Sequence, residues 1–564
     1  TYTLDGEARE FPALPFAENG DVYLPLAPCM SALGKDIQMD SNVIVIGTEE
    51  ETAAMLADKT MLGNAAIMMN VKETEIKQED WRELKDKWRV YLVGDENKDL
   101  EDEYVAEAIK KLDNNCAGAL AALNKGANPE VLFGKSPVTE TAHMTNQFNM
   151  MYRLVEPYGT YGSKYYKDPA LRREIMRTFE WLYNNLYGQA EIEGRGWRDT
   201  SLHNWWDWYF GSAKPLCNAL LIMEDDLTPE KIEKYLSLYN HLRKTMRTGK
   251  IPSDAASRVY CGTAAAALQE DTEWMRSMVD DYNLMLVPVE SGNGVQEDDL
   301  YITHEYFAYS TAYGTSSLLD RLCALQGILA GTAFEFATPY KYNSCNWLYE
   351  TFQPLIFGGN MTNAQSGRSK GNEATYTAFA VTAMLDFVGM FGKDDDLRLK
   401  QLIKRNVTEA NKKTIYGALN VKQTSLLSEI LADDSIQVQP YYKNKVYYTG
   451  DSVMHQRDTS GFALSMSSSR IAAYESINHN NVKGWYQGDG MLYMYVKNDP
   501  NAYDSSYWKS ANPYHMPGTT VDTQEREAAS VRNSKMLLTN QDFVGAAGMR
   551  DLYATAAMQL ESYH

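Results

Sequence analysis

The sequence predicts a multidomain α+β chain in which a helical body precedes an antiparallel β domain. Three observations predict it. Between about residues 138 and 395, apolar residues recur at helical spacing behind Asp-Pro and Thr-Pro starts. After about 400 they give way to short runs rich in Tyr, Val and Met, separated by turn residues. The chain has 564 residues, 44% hydrophobic and 23% charged, enough for two to four domains around a substantial core.

Residues 1–50 read as a small β-rich N-terminal module. Val22-Tyr23-Leu24-Pro25-Leu26 and Val43-Ile44-Val45-Ile46 flank Met30-Ser31-Ala32-Leu33-Gly34, a short pattern that resembles the copper-amine-oxidase type module of secreted bacterial proteins. Residues 51–137 mix helix-like and strand-like signals and receive no assignment. In the helical body, 138–395, Asp168-Pro169 supplies an N-cap and a first-turn proline, followed at helical spacing by Leu171, Ile175, Phe179, Leu182 and Leu186. Thr228-Pro229 starts a second helix carrying Ile232, Tyr235, Leu236, Tyr239 and Leu242, and Ser316 to Ala330 reads as another. Successive amphipathic helices joined by Gly, Asn and Pro loops imply paired helices in a bundle or toroid. The β domain, 396–564, is marked by strand-like runs at 437–442, 445–448, 462–466 and 491–495. Strand-like texture persists to the last residues, so this domain is expected to be incomplete.

Composition limits the function classes. A net charge of −21 disfavours nonspecific nucleic-acid binding but leaves room for a local Arg/Lys cleft that takes an anion. The sequence contains no run of 18 apolar residues, so no membrane span is expected. Cys29, Cys116, Cys217, Cys261, Cys323 and Cys345 are scattered without CxxC or Cys/His spacing, which reads as buried thiols rather than a disulfide framework. No nucleotide, flavin or haem motif is visible. A structural calcium ion in an Asp-rich loop is compatible with the sequence, although EF-hand spacing is missing.

Five segments can carry chemistry. Asn204-Trp205-Trp206-Asp207-Trp208 offers flat indole faces that stack on sugars; the structural alternative is a packing cluster at a helix start. His304 and Tyr313 lie nine positions apart before Gly314 and can supply a charge stabiliser and a proton-transfer group. Arg368, between Gly367 and Ser369-Lys370-Gly371-Asn372, presents a planar fork suited to carboxylates, against the alternative of a solvated loop arginine. Tyr474-Glu475-Ser476-Ile477-Asn478 precedes Gly484-Trp485-Tyr486, and Trp508 precedes Asn512-Pro513-Tyr514; both stretches are rich in turn formers.

Read together and in order, NWWDW, ITHEYFAYSTAYG, PLIFGGNMTNAQSGRS, YESIN with GWYQGDGMLY, and NPYHMPGTT resemble polysaccharide lyase family 8, which includes hyaluronate, chondroitin AC and xanthan lyases. The resemblance runs from about 204 to 520. It implies an incomplete α/α toroid followed by antiparallel β-sandwich domains. It also implies cleavage of a glucuronate-containing acidic polysaccharide by β-elimination, giving an unsaturated uronate.

By that resemblance, Tyr313 removes the C5 proton and returns one to the leaving oxygen. Since a free phenol titrates near 10, Arg368 is needed beside it. His304 contacts the uronate carboxylate or the proton in transit. Trp205 and Trp206, with Asn204, seat the polymer; Glu475 and Asn478 close the cleft from the β domain; Lys370 and Asn372 bind substrate. No cofactor or metal is required. Two departures from the family pattern bear on the substrate. Counting back from His304 to the family's carboxylate-neutralising Asn reaches Asp254, a like charge facing the uronate, unless Asp254 is simply a helix N-cap. Where many glycosaminoglycan lyases carry a second Arg, this chain has Asn372, which shifts the expected substrate toward a non-sulfated polymer. The substrate class in turn implies a secreted or cell-surface bacterial enzyme, expected to be a monomer.

Two other readings stay open at this point. An α/α-toroid glycoside hydrolase needs two opposed carboxylates, for which Asp207, Glu305 and Asp254 are available. A non-catalytic carbohydrate-binding protein with a decayed lyase site finds its support in Asp254.

Overall fold

The structure, a computed structural model, describes residues 2–4, 7–9, 16–18, 21–23, 30, 35–40, 43–48, 50–51, 76–188, 204–243, 251–336, 340–497, 499, 502–522, 524–529 and 543–560. Near the N-terminus three antiparallel hairpins are formed, by Tyr2–Leu4 with Glu7–Arg9, Phe16–Glu18 with Asp21–Tyr23, and Asp36–Asp40 with Val43–Gly47.

The helical body is larger than the sequence suggests. Within the unassigned stretch 51–137, helices Gln78–Val93 and Glu103–Ala122 belong to it. Trp81, Leu84, Trp88 and Leu92 are buried along one face of the first, and Trp88 Nε1 donates to Tyr260 Oη at 3.3 Å. Charged residues interleaved with this stripe hide it from a periodicity reading. The second starts on Asp102, whose carboxylate accepts from Tyr104 N and Val105 N. At the other end, the expected boundary at 395 is wrong. Helices Lys393–Glu409, Lys412–Ala418 and Val421–Ala432 follow it, and the first strand of the sheet begins only at Lys443. The first of these helices buries a narrow stripe, Leu399, Ile403 and Val407, in a highly charged sequence.

Two helix starts read from sequence are found as expected. Asp168 accepts from Leu171 N at 2.6 Å with Pro169 at the first position, and Pro229–Arg243 buries Ile232, Tyr235, Leu236, Tyr239 and Leu242. The helix Pro252–Gln269 is buried on nearly every side and packs against Thr272–Leu286. The helix expected at 316–330 is instead two segments. Ser310–Leu319 is π-helical and Asp320–Leu329 α-helical, and the wide turn is visible in the bond from Gly314 N to Tyr309 O at 3.0 Å. π-Helical turns cluster at functional sites because they reorient a side chain within an otherwise regular helix.

The β domain contains a four-stranded antiparallel meander, Lys443–Tyr447, Ser452–Gln456, Ser460–Met466 and Asp489–Val496, each strand paired with the next. The run 437–442, expected as a strand, is not one; Pro440 lacks the N–H a ladder needs, and Tyr442 is exposed. Ser452–Gln456 was not expected. The hairpin Val544–Met549 with Tyr553–Met558 packs beside the first strand, where Asn444 Nδ2 donates to Arg550 O and Tyr553 O.

Buried polar bonds lock the two domains together. Gln456 Nε2 donates to Pro354 O and Ile356 O, at 2.9 and 2.6 Å. Tyr495 Oη donates to Thr362 Oγ1 at 2.7 Å, and Thr449 N to Asp298 Oδ2 at 2.7 Å. Lys445 pairs with Asp299 at 2.6 Å. Such bonds are directional, so they fix the angle at which the sheet meets the helices more tightly than apolar contact alone. Cys116, Cys217, Cys261, Cys323 and Cys345 are buried free thiols; Cys29 lies outside the described residues. Among the described residues no helix is long and apolar enough to cross a membrane.

Candidate active site

The site lies where the excursion between the last two strands of the meander, residues 467–488, meets the helical body. Ala472 N bonds Tyr306 O at 2.9 Å and places Glu475 against the turn that carries His304. That turn is tight. His304 and Glu305 have φ of 51° and 73°, and Asn293 Oδ1 accepts from Glu305 N at 2.8 Å. A non-glycine residue held left-handed costs about 1–3 kcal/mol and persists only where its surroundings impose it.

Glu475 is fully buried. His304 Nδ1 donates to its Oε1 at 2.9 Å, Arg368 Nη1 reaches its Oε2 at 2.8 Å, and Tyr309 Oη donates to the same Oε2. The other limb of the guanidinium turns to Tyr313, with Nη2 donating to the phenol oxygen at 2.6 Å. Arg368 therefore bridges a buried carboxylate and a phenol. The Tyr309 and Tyr313 rings stack in parallel with centroids 4.6 Å apart, and the His304 ring stands edge-on to both at 5.8 Å. Burial pushes the Glu475 carboxyl up, but the hydrogen bonds from His304 and Tyr309 and the charge of Arg368 prevail and hold it below its ordinary value. Tyr313 moves the other way. Burial raises its phenol above the ordinary value, Arg368 opposes this, and Glu475 and Asp254 add to the rise. The sequence reading required Arg368 to favour the phenolate, and it does, but half of its fork is taken by Glu475.

Gly367 explains how the loop carrying Arg368 approaches so closely. Its φ is +53°, and a Cβ added there would lie 1.9 Å from Cζ of Tyr309. Gly367→Ala is expected to destabilise the protein by at least about 2 kcal/mol in chemical denaturation, from the left-handed backbone and the displaced ring together.

This constellation, built from a helical domain and a sheet domain, agrees with what the chain matches. Residues 88–405 match the N-terminal alpha-helical domain of polysaccharide lyase family 8, and residues 442–564 match its super-sandwich domain. The chain belongs to polysaccharide lyase family 8. It is 27% identical over 479 residues to a hyaluronate lyase of Enterococcus faecalis, covering 79% of this chain and 46% of that protein. It is 25% identical over 448 residues to a xanthan lyase of a Bacillus species, covering 78% and 47%. The chain thus spans about half the length of these relatives. Its fold matches the structure of a Paenibacillus xanthan lyase with a TM-score of 0.76 at 24% identity, over 86% of this chain and 46% of that one. A Streptomyces coelicolor chondroitin AC lyase in complex with chondroitin sulphate gives a TM-score of 0.77 at 21%, over 86% and 66%. The helical-then-antiparallel fold class expected from sequence is that of the family.

The remaining expected residues of this family 8 chain are placed as follows. Asp254 is the third residue of Pro252–Gln269, whose N-cap is Ile251, so the N-cap alternative is excluded. Its carboxyl makes no hydrogen bond or ion pair with a described residue, and burial lifts it to about 6 against the pull of His304, Arg258 and Arg321. Lys370 and Asn372 line a cavity of ≈ 370 Å³ beside Arg368, together with Lys483, Asn481 and Trp508. Lys370 Nζ donates to Asn363 O at 2.8 Å, and burial lowers the amine to about 7.

Three expectations fit less well. Asn478 is exposed in a left-handed turn without a described hydrogen bond, whereas Asn481 holds the loop by donating to Glu475 O at 3.1 Å. Asn204 binds Asp207 at 2.8 Å and organises its own helix start. Trp205 is 38% exposed and half-buried Trp206 packs against Gly211; no described contact links either to Tyr313. Sequence reasoning missed Tyr309, Gly367 and Lys483. The four-residue spacing from Tyr309 to Tyr313 could have flagged the first; nothing in the sequence marks Lys483, which the fold alone brings to the cavity.

Proposed function

We propose that this chain contains the catalytic core of a lyase that cleaves a glucuronate-containing acidic polysaccharide by β-elimination. The observation that carries this reading is the Arg368 guanidinium shared between the Tyr313 phenol and buried Glu475. The task is to take the weakly acidic C5 proton of a uronate and then expel the oxygen at C4. Tyr313, as phenolate, accepts that proton, the C5–H pair becomes the C4=C5 double bond, and the C4–O bond breaks. The proton then passes from Tyr313 to the departing oxygen, which restores the phenolate. Arg368 stabilises negative charge on the phenol oxygen through a charge-assisted bond. His304, oriented by Glu475, faces the carboxylate whose charge grows as the proton leaves. In this assignment side chains neutralise the charge, with no metal in the step. A polymer substrate places the enzyme outside the cell or on its surface, acting as a monomer.

The test is parallel incubation with hyaluronate, chondroitin and xanthan, following ultraviolet absorbance and product size. Elimination creates a conjugated chromophore; hydrolysis does not. The hydrolase reading is weakened by Asp207, which is buried and already bonded to Thr145 and Asn204. The decayed-site reading retains Asp254 as its support. Asp254 titrates at about 6, so it gains negative charge as pH rises through that value and opposes an anionic polymer. KM for an acidic polymer is therefore expected to rise across this interval, and Asp254→Asn to give a lower KM with a shallower rise, the remainder coming from the lowered Lys370 amine. An unchanged profile in the variant would place Asp254 away from the bound carboxylate.

A further inference from the structure

We infer that Tyr309 is a positioning residue that fixes both ends of Arg368 and so controls how much of the guanidinium's charge reaches Tyr313; this rests on the elimination reaction proposed above. Tyr309 is fully buried. Its phenol oxygen accepts from Arg368 N at 3.1 Å, which anchors the loop, and from Nη1 at 3.4 Å. The same hydroxyl donates to Glu475 Oε2, the oxygen that holds Nη1. One hydroxyl thus contacts the backbone of Arg368, its side chain and its counter-ion.

The consequence follows from sharing. A buried carboxylate demands donors. With Tyr309 donating, Oε2 divides its demand between a phenol and the guanidinium, and Nη2 stays on Tyr313 at 2.6 Å. Without that hydroxyl, Oε2 has only Arg368, the fork is drawn toward Glu475, and the part-buried N–H of Arg368 loses its acceptor. Tyr313 then keeps its proton to higher pH. The groups facing Tyr313 are Arg368, Glu475, Asp254, His304, Tyr309 and Tyr376. Those facing Glu475 are His304, Tyr309, Arg368 and Tyr313. Loss of the Tyr309 hydroxyl therefore raises the proton affinity of Tyr313, while at Glu475 the lost donor and the approaching guanidinium act in opposite directions.

Tyr309→Phe tests this, because Phe keeps the stack on Tyr313 and the packing under Gly367. Its kcat is expected to fall about tenfold, with KM within about threefold and the rising limb of kcat against pH displaced upward by about one unit, since one unit corresponds to a tenfold change in phenolate. A variant with lowered thermal stability but an unmoved limb would show a purely structural role and overturn the inference. Tyr309→His, which returns a ring donor, is expected to recover part of the rate, and it carries the same pH readout if the Phe variant does not fold. Failure of the proposed reaction is seen separately, as absence of unsaturated product from the unaltered protein. In that case the Tyr313 phenol is followed by ¹³C NMR, assigned with Tyr313→Phe. Its titration must move to higher pH in Tyr309→Phe, and an unmoved titration overturns the inference.

Discussion

Tyr313→Phe is expected to lower kcat/KM by about 10²–10⁴-fold on whichever polymer the enzyme cleaves, the range for removal of a positioned proton-transfer group. The loss should fall in kcat, with KM nearly unchanged, because Phe keeps the ring stacked on Tyr309 and removes only the oxygen that Arg368 holds. Continuous ultraviolet absorbance at saturating and limiting substrate separates the two constants. A variant that keeps its full rate would remove Tyr313 from the reaction and leave His304 as the group to consider. In the unaltered enzyme, activity is expected to rise with pH toward a phenol titrating above its ordinary value, since the base form is the active one and burial outweighs Arg368.

Arg368→Ala is expected to damage both rate and stability. Its fork is the one cation bonded to Tyr313 among the described residues, so kcat should fall at least about 10²-fold, the scale for losing a preorganised electrostatic stabiliser. Its other limb pairs with a fully buried carboxylate, and removing one partner of a buried pair costs about 3 kcal/mol at the low end of the known range, which fits a Glu475 that keeps His304 and Tyr309. The pH dependence has a definite sign. A carboxyl held below its unfolded value contributes stability that is complete above that unfolded value and lost as pH falls through the lowered folded one. Arg368→Ala raises the folded value, so acid unfolding should begin at higher pH than in the unaltered protein. Urea denaturation at neutral and acidic pH measures both effects; equal stability of the two proteins at neutral pH would show that the bridge contributes little.

Much of this protein was legible in one dimension. Asp168-Pro169 and Thr228-Pro229 announce their helices because capping and proline φ are local properties of two residues. The strands at 460–466 and 489–496 show themselves because a paired ladder favours aromatic and β-branched residues such as Tyr, Phe and Val wherever it lies. Elements whose stability comes from their surroundings were harder to see. Lys393–Glu409 buries three apolar side chains in a sea of charge, and Gln78–Val93 depends on Trp88 meeting Tyr260, a residue 172 positions away. The π-turn at Ser310–Leu319 could not be read at all, because its sequence is compatible with an ordinary helix and only the packing around Gly314 and Tyr309 selects the wider turn.

The candidate site divides along the same line. The sequence by itself determined the family and the order of helical and sheet domains, and it named His304, Tyr313, Arg368 and Glu475 as candidates, because these are carried by residue type and spacing. Only the tertiary structure decided that one guanidinium serves both a phenol and a carboxylate supplied from the other domain, that Tyr309 holds it there, that Asn481 rather than Asn478 ties down the loop, and that Asp254 is a half-buried first-turn acid rather than a cap. The reason is physical. Hydrogen-bond partners and proton affinities depend on distances and burial between segments more than 50 residues apart, and local sequence fixes neither.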